Sequence, residues 1–215
     1  LAIGAMVVAT LASLTLGIFA ATNHNRVGDY GVMGFSQLGL AIPDFWFGIL
    51  LIILFAVILH WLPSGGFPGW DDGIWHGVRS LLLPILTQAL SLTAIMTRVT
   101  RSSVLEVARE DYVRTARAKG LSRRAALWGH VLRNALIPVL TIGGLLVATV
   151  VTGTLVIENV FALPGVGKLI FDAISNRDLM VVKNVVLLFA AIVVAVNFVV
   201  DILYAMVDPR IRVHT

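Results

Sequence analysis

The sequence lacks cysteine and has little charge. Its 215 residues include no Cys, and only 13% are Asp, Glu, Lys or Arg, against about 25% in a typical soluble domain. Without cysteine the chain has no disulfide framework, thiolate metal site or cysteine nucleophile. Its five histidines are scattered singly, so no pair has metal-ligand spacing. A phosphate-binding loop of the form G-x-x-x-x-G-K-[ST] is also missing, which excludes that type of ATP site.

Apolar residues are abundant instead. They make up 58% of the chain, and the mean hydropathy is +0.93. Five runs are long enough to cross a hydrocarbon layer of about 30 Å as helices. These predicted spans are 1–21, 32–61, 80–99, 135–157 and 185–207. The second is longer than one crossing needs, so we expect it to tilt or to begin with an interfacial stretch. The predicted fold class is an all-α, polytopic transmembrane helical bundle.

The positive charge is unevenly distributed. The net charge is +4 and the pI is about 10.0, which in a soluble protein would suggest a nucleic-acid partner. In a membrane protein, excess Lys and Arg mark cytoplasmic loops, so we predict no nucleic-acid partner. Most of the 16 Lys and Arg residues lie in the first loop, the loop between spans three and four, and the tail. These segments are predicted to be cytoplasmic. Since Leu1 lies within an apolar run, we expect a further N-terminal segment before it.

The two outer loops differ from the cytoplasmic ones. The loop 63–77 is rich in Gly and Trp, and tryptophan rings are stable in the headgroup layer. In the second outer loop, residues 163–167 predict a turn. Residues 168–175 then predict a short amphipathic helix that lies on the outer membrane face or dips into it.

The cytoplasmic stretch 97–134 is too long for a simple connection. Gly120 suits the end of one helix and Ser122 the cap of the next, so we predict a helix, a tight turn and a helix. The first helix is supported by apolar residues near helical spacing and by charged pairs, namely Val104, Val107, Ala108, Tyr112 and Val113, Glu106 with Arg109, and Glu110 with Arg114. A solvated basic face that only sets topology is the alternative. An ordered helical hairpin that carries the aromatic residues Tyr112 and Trp128 favours a docking surface.

Several stretches, in order, resemble the permease subunits of ABC importers for dipeptides, oligopeptides and nickel. They are DYVRTARAKGL at 111–121 with LRNALIP at 132–138, ENVF at 158–161 with PGVG at 164–167, and DILY at 201–204 with DPRIR at 208–212. The first corresponds to the family's EAA motif, with Gly120 as its glycine. Arg-Thr-Ala at 114–116 stands where the general motif has Glu-Ala-Ala, as is usual in the peptide branch. This departure favours that branch over sugar or amino-acid permeases.

The resemblance implies the type I ABC importer permease fold over residues 1–215, with a coupling-helix hairpin at about 98–134. Family members normally have six spans, so the first is expected to be missing here. In the family this hairpin sits in a groove of the ATPase subunit. The residues expected to couple to the ATPase are Arg114, Thr115, Ala116, Arg117, Ala118, Lys119, Gly120, Leu121 and Ser122.

The implied function is that of a permease subunit, without catalytic activity or cofactor of its own, in a bacterial cytoplasmic (inner) membrane. It would translocate di- or oligopeptides, with nickel or glutathione as alternative cargo. The implied partners are a second homologous permease, two ABC ATPases that carry ATP and Mg, an extracytoplasmic binding protein, and membrane lipid. A stand-alone secondary transporter is a competing hypothesis. It would require charges near the midplane and internal repeats, and neither is predicted.

Some polar residues in the predicted spans allow two interpretations. Asp44 follows Pro43 at what we interpret as a cytoplasmic-side break in the second span, and a local cap is favoured over a functional carboxylate. Asn197 and Asp201 share one face of the last span, where a structural pair with an arginine is favoured. Other polar side chains would either line a path or form interhelical hydrogen bonds, namely Gln88, Ser91, Thr149, Thr152 and Thr154.

Overall fold

The computed structural model describes residues 1–207 and shows helices joined by loops, with no strand in that part of the chain. Two helices continue as π-helical segments. The elements are α1 Ala2–Thr22, α2 Val27–Ala41, α3 Asp44–Leu51 with its π-helical continuation Ile52–Ile58, α4 Ile74–Val107, α5 Asp111–Ala118, α6 Arg123–Ala126 with its π-helical continuation Leu127–Val131, α7 Leu132–Val160, α8 Val166–Ser175 and α9 Leu179–Val207. The all-α fold class is confirmed. The tail motif at 208–212 and the side chain of Asp201 lie outside the described part.

Within residues 1–207, four helices are long and apolar enough to cross a membrane, and a bent pair makes a fifth crossing if it counts as one span. The bent pair is α2 with the α3 segment Asp44–Ile58, which meet at 103°. The predicted second span is therefore a broken helix that begins at Val27, and a break takes up its excess length. Pro43 explains the break, because proline lacks an N–H and disfavours helical geometry in the residue before it.

Helix α4 is the central element, packed against α1, α2, α3 and α7. Small residues allow the close approach. A Cβ on Gly17 of α1 would lie 2.5 Å from the Cβ of Thr100, and one on Gly39 of α2 would lie 3.2 Å from that of Ala94. The Gly39 contact places the C-terminal end of α2 beside the middle of α4.

The outer end of α7 holds the second outer loop in place. A carboxylate oxygen of Glu158 accepts a hydrogen bond of 2.7 Å from the backbone N–H of Gly167, in the first turn of α8. A side chain at Gly165 would collide with that carboxylate, and one at Gly167 with the carbonyl of Leu155. The predicted turn and the predicted amphipathic helix are both confirmed, and the ENVF and PGVG stretches form one packed unit.

The first outer loop also rests on α7, because the N–H of Gly66 donates to the carbonyl of Phe161 at 2.8 Å. The rings of Trp61, Trp70 and Trp75 are all exposed, as expected of side chains in a headgroup layer. Helix α9 presents most of its apolar surface outward. Such a surface suits a lipid or protein neighbour within the membrane.

Candidate functional site

The cytoplasmic hairpin begins with a break that the sequence analysis did not predict. Helix α4 ends at Val107, and α5 starts again at Asp111 with Glu110 as its N-cap. The prediction of one continuous helix through this stretch was therefore wrong. So were the charged pairs assigned to it, because Arg114 forms its ion pair with Asp111 at 3.6 Å, and neither expected pair occurs among the described residues.

The turn between α5 and α6 is fixed by its own backbone. Gly120 has φ +98°, a conformation that side chains disfavour. The N–H of Gly120 bonds the carbonyl of Arg117 at 3.0 Å, and that of Leu121 bonds the carbonyl of Ala116 at 3.3 Å. This pair of bonds is a Schellman motif. The hydroxyl of Ser122 then accepts from the N–H of Ala125 at 3.2 Å and caps α6. The predicted turn and cap are confirmed.

An apolar floor seats the hairpin on the cytoplasmic ends of three membrane helices. Val113 of α5 is only 2% exposed, and burying such a side chain contributes about 1.5–3 kcal/mol. Its cluster comprises Ala21, Val104, Val113, Ala126, Val131, Leu132 and Ala135. These residues come from α1, α4, α5, α6, the π-helical segment after α6, and α7. The hairpin is therefore packed onto the bundle as part of it.

A polar bond adds to this anchoring. The side-chain amide of Asn134 in α7 donates to the hydroxyl of Tyr112 in α5 at 2.7 Å. The π-helical segment lies between α6 and α7, and π-helical turns are found mostly at functional positions. It carries the exposed ring of Trp128. Tyr112, predicted to be part of a docking surface, thus has a structural contact as well as an exposed edge.

We expect Tyr112→Phe to lower the free energy of unfolding by less than about 1 kcal/mol, because it removes one exposed hydrogen bond and keeps the ring. Asn134→Ala should have a similar effect, and the double variant should add little beyond either change. Thermal unfolding of the wild type, the two single variants and the double variant measures the coupling energy between the two side chains. Fully additive losses would show that the bond does not hold α5 to α7.

The structure places the predicted coupling residues on one continuous exposed segment. Eight of the nine are exposed, and Ala116 is half-buried. The exposed members are Arg114, Thr115, Arg117, Ala118, Lys119, Gly120, Leu121 and Ser122. A Cβ added at Gly120 would meet nothing within 4 Å, so the outer side of the turn is open. Whether this surface docks on an ATPase stays a prediction.

Positive charge surrounds the turn without intrachain neutralisation in the described residues. Arg117, Arg123 and Arg124 line a groove of about 450 Å³ beside the turn, and the groove reaches down to Val113 and Ala126 of the floor. None of the three arginines forms a salt bridge there. The site thus combines a rigid backbone, open cationic side chains and an apolar groove, which suits a protein surface bearing carboxylates.

One ionic cluster was missed from the sequence. The carboxylate of Asp29, with 2% of its side chain exposed, accepts two bonds from Arg101 of α4, at 2.5 Å from Nε and 2.7 Å from the terminal nitrogen. Asn25 N–H donates to it at 3.0 Å, and the ring of His24 lies 3.2 Å away. The cluster ties the first cytoplasmic loop to the end of α4 just before the hairpin. Asp29 and Arg101 are 72 residues apart, so no local sequence pattern predicts this cluster.

Some of the polar residues within the spans pair between helices. The amide nitrogen of Gln88 in α4 donates to the carbonyl of Val150 at 2.5 Å and to the hydroxyl of Thr154 at 3.0 Å, both in α7. Thr152 bonds back to its own helix. For Gln88 and Thr154 the interhelical interpretation is therefore confirmed. Ser91 donates to the carboxylate of Asp44 in α3.

This contact corrects the predicted depth of Asp44. Ser91 lies between Arg79, at the outer end of α4, and Arg101, at its cytoplasmic end. A carboxylate beside Ser91 is near the middle of the span, deeper than the predicted cytoplasmic-side position. Asp44 is therefore an ionisable residue near the midplane, where none was predicted. Asn197 is exposed on α9, and the side chain of Asp201 lies outside the described part of the chain.

Sequence comparison identifies the chain's relatives. The family described as "Binding-protein-dependent transport system inner membrane component" matches residues 13–213. The chain is 44% identical to a di/tripeptide transport system permease protein, DppB, of Pseudomonas aeruginosa, covering 99% of this chain and 69% of that protein. It is 42% identical to the oligopeptide permease protein AppB of Bacillus subtilis, over 96% of this chain and 66% of that protein. For OppB of Escherichia coli the identity is 39%, with 97% and 66% covered.

Structure comparison gives the same architecture. An inward-facing crystal structure of the MetNI methionine ABC transporter superposes with a TM-score of 0.74 at 16% identity, covering 96% of this chain and 93% of that one. A second crystal form of that transporter superposes with a TM-score of 0.70 at 15% identity, covering 96% of this chain and 94% of that one. At such identities the likeness shows the fold alone, which is the type I ABC permease fold. The family match and the relatives together show that the chain belongs to the binding-protein-dependent transport system inner membrane components, as a multi-pass permease of the cytoplasmic membrane.

Proposed function

We propose that this permease is the membrane subunit of an ATP-driven importer for di- or oligopeptides. The observation that carries the proposal is the rigid, exposed cytoplasmic turn around Gly120, seated on the ends of three membrane helices. An ATPase can transmit its conformational change to such a bundle only through a contact that does not deform. The names of the relatives, which are di/tripeptide, dipeptide and oligopeptide permeases, support peptides as the cargo.

The proposal assigns roles to partners. Two ABC ATPases bind ATP and Mg, and one of them receives the coupling segment 114–122. A second, homologous permease completes the path, and an extracytoplasmic binding protein delivers the peptide. Residues 1–215 act as one transmembrane domain, with the hairpin at 98–134 as its cytoplasmic contact. The unneutralised arginines beside the groove predict acidic residues on the ATPase surface.

A native-membrane purification in mild detergent tests the assembly, with the co-purifying proteins identified by mass spectrometry. We expect two kinds of partner, ATPase subunits and a second permease. The purified assembly is then placed in liposomes with its binding protein, and uptake of a labelled dipeptide is measured with ATP and with a non-hydrolysable analogue. Uptake should need hydrolysable ATP. Recovery of this chain alone, active in solute flux without ATP, would contradict the proposal and favour a secondary transporter.

A further inference from the structure

The second span is interrupted inside the membrane, and Asp44 begins its second half. Helix α2 ends at Ala41, and α3 starts at Asp44 after a turn of 103°. A non-helical backbone at membrane depth is tolerated only where protein covers it or where it lines a water-filled cavity. In transporters, helices broken near the midplane commonly form the solute site. The break is therefore a place to look for a binding residue.

The depth of Asp44 follows from its partner. Ser91, which donates to its carboxylate, is twelve residues from Arg79 and ten from Arg101 on α4. At 1.5 Å per residue these separations are about 18 Å and 15 Å. The hydrocarbon core is about 30 Å thick. Asp44 thus lies close to the middle of the bilayer.

No described residue of this chain forms an ion pair with Asp44. The nearest basic residue along that face of α4 is Arg98, seven positions beyond Ser91 and about 10 Å away along the axis. Its guanidinium donates instead to the side-chain oxygen of Gln37 at 2.8 Å. The hydroxyl of Ser91 supplies one hydrogen bond to a carboxylate that can accept about four.

Asp44 differs from the neighbouring polar side chain, Gln88, in how completely its hydrogen-bonding groups are paired. Gln88 is 3% exposed, and both its amide nitrogen and its oxygen are bonded within the protein. Asp44 is half-buried and keeps accepting positions open. A charged group at this depth is costly and usually faces a water-filled path or a partner group. Near the midplane the described residues thus place a carboxyl group, Asp44, that has no ion-pair partner among them.

We infer that Asp44 is a binding residue of the translocation path, where it receives the ammonium group of the transported solute. The inference rests on the proposed function, because every unmodified peptide carries an α-ammonium group. Ser91 orients the carboxylate, and the first turn of α3 favours a negatively charged side chain there. A solute whose amine is acylated would lose this contact while keeping its other ones.

The test is uptake by the complete reconstituted transporter, with its ATPases and binding protein, carrying Asp44→Asn or Asp44→Glu. Asparagine keeps a hydrogen-bond acceptor for Ser91 but removes the charge. We expect Asp44→Asn to reduce uptake of a free-amine dipeptide by about tenfold or more, as loss of a hydrogen-bonded charge pair does, and Asp44→Glu to restore most of it. Asp172→Asn is the matched control, since it makes the same change on the exposed outer helix α8, and it should leave uptake unchanged.

The same variants are measured with the N-acetylated dipeptide. Each solute is compared with itself across variants, so the preference of the binding protein cancels. The expected loss in Asp44→Asn is specific to the free amine. An equal loss for both solutes, or no loss for the free amine, would overturn the inference. If the wild-type transporter does not carry the acetylated dipeptide, loss in Asp44→Asn with recovery in Asp44→Glu supports the charge, and equal activity of the two variants overturns it. Absence of ATP-dependent uptake by the wild-type assembly would instead contradict the proposed function.

Discussion

Gly120→Trp should abolish ATP-driven uptake while leaving the chain in the membrane. Two effects combine at this position. The backbone has φ +98°, which costs a non-glycine residue about 1–2 kcal/mol, and the new side chain would project from the open side of the turn, where nothing in this chain meets it. We expect uptake by the reconstituted transporter to fall by more than about tenfold, the factor that a docking loss of 1.4 kcal/mol gives.

Two smaller substitutions at Gly120 separate the effect of backbone strain from the steric effect of a bulky side chain on docking. Gly120→Asn adds a residue that tolerates positive φ, and Gly120→Ala adds strain with little bulk. Both should keep a larger part of the uptake than Gly120→Trp. Co-purification then shows whether the ATPase is lost or remains bound without coupling. Wild-type uptake by Gly120→Trp would show that the turn is not the coupling contact.

Asp29→Ala is expected to be the most destabilising single substitution at the cytoplasmic end. The carboxylate is buried and takes hydrogen bonds from Arg101 and from the N–H of Asn25. Removing it leaves a guanidinium that is 21% exposed without its counter-charge, and breaking such a buried pair costs about 3–5 kcal/mol. Thermal unfolding of the purified protein in detergent should show a large fall in melting temperature.

The chain offers a matched surface pair. Asp111 and Arg114 are 3.6 Å apart, with side chains 96% and 71% exposed, and exposed pairs contribute little. Asp111→Ala should therefore leave the melting temperature nearly unchanged. The double variant Asp29→Leu with Arg101→Met should be more stable than Asp29→Ala alone, because no buried charge is left unpaired. A melting temperature for Asp29→Ala equal to that of the wild type would contradict a stabilising role for the cluster.

The number of crossings could be predicted because hydropathy reports directly on length in lipid. The turn at Gly120 and Ser122 could be predicted for a similar reason, since glycine at a helix end and serine at a helix start act within a few residues. Both features depend on local chemistry. They match the structure closely, even though no tertiary contact was available to the sequence analysis.

Features that depend on contacts between distant segments were not predicted. The pairing of Asp29 with Arg101 requires the packing of α2 against α4, which no sequence pattern specifies. The break at Pro43 was predicted from the sequence, but the depth of Asp44 was not, because it depends on where α3 packs along α4. The break after Val107 was missed since apolar residues continue at near-helical spacing on both sides of it.

Beyond Pro84, helix α4 contains no further proline and continues unbroken to Val107. The partner of the midplane carboxylate, Ser91, and the anchor of the first loop, Arg101, therefore belong to one helix that ends at the hairpin. If solute binding at Asp44 and ATPase docking at the hairpin each shift this helix, the two are thermodynamically linked, and each changes the affinity of the other by the same factor. Couplings of this kind are about 1–3 kcal/mol, or roughly 5–150-fold. The change in peptide affinity on ATPase docking would then equal the change in ATPase affinity on peptide binding.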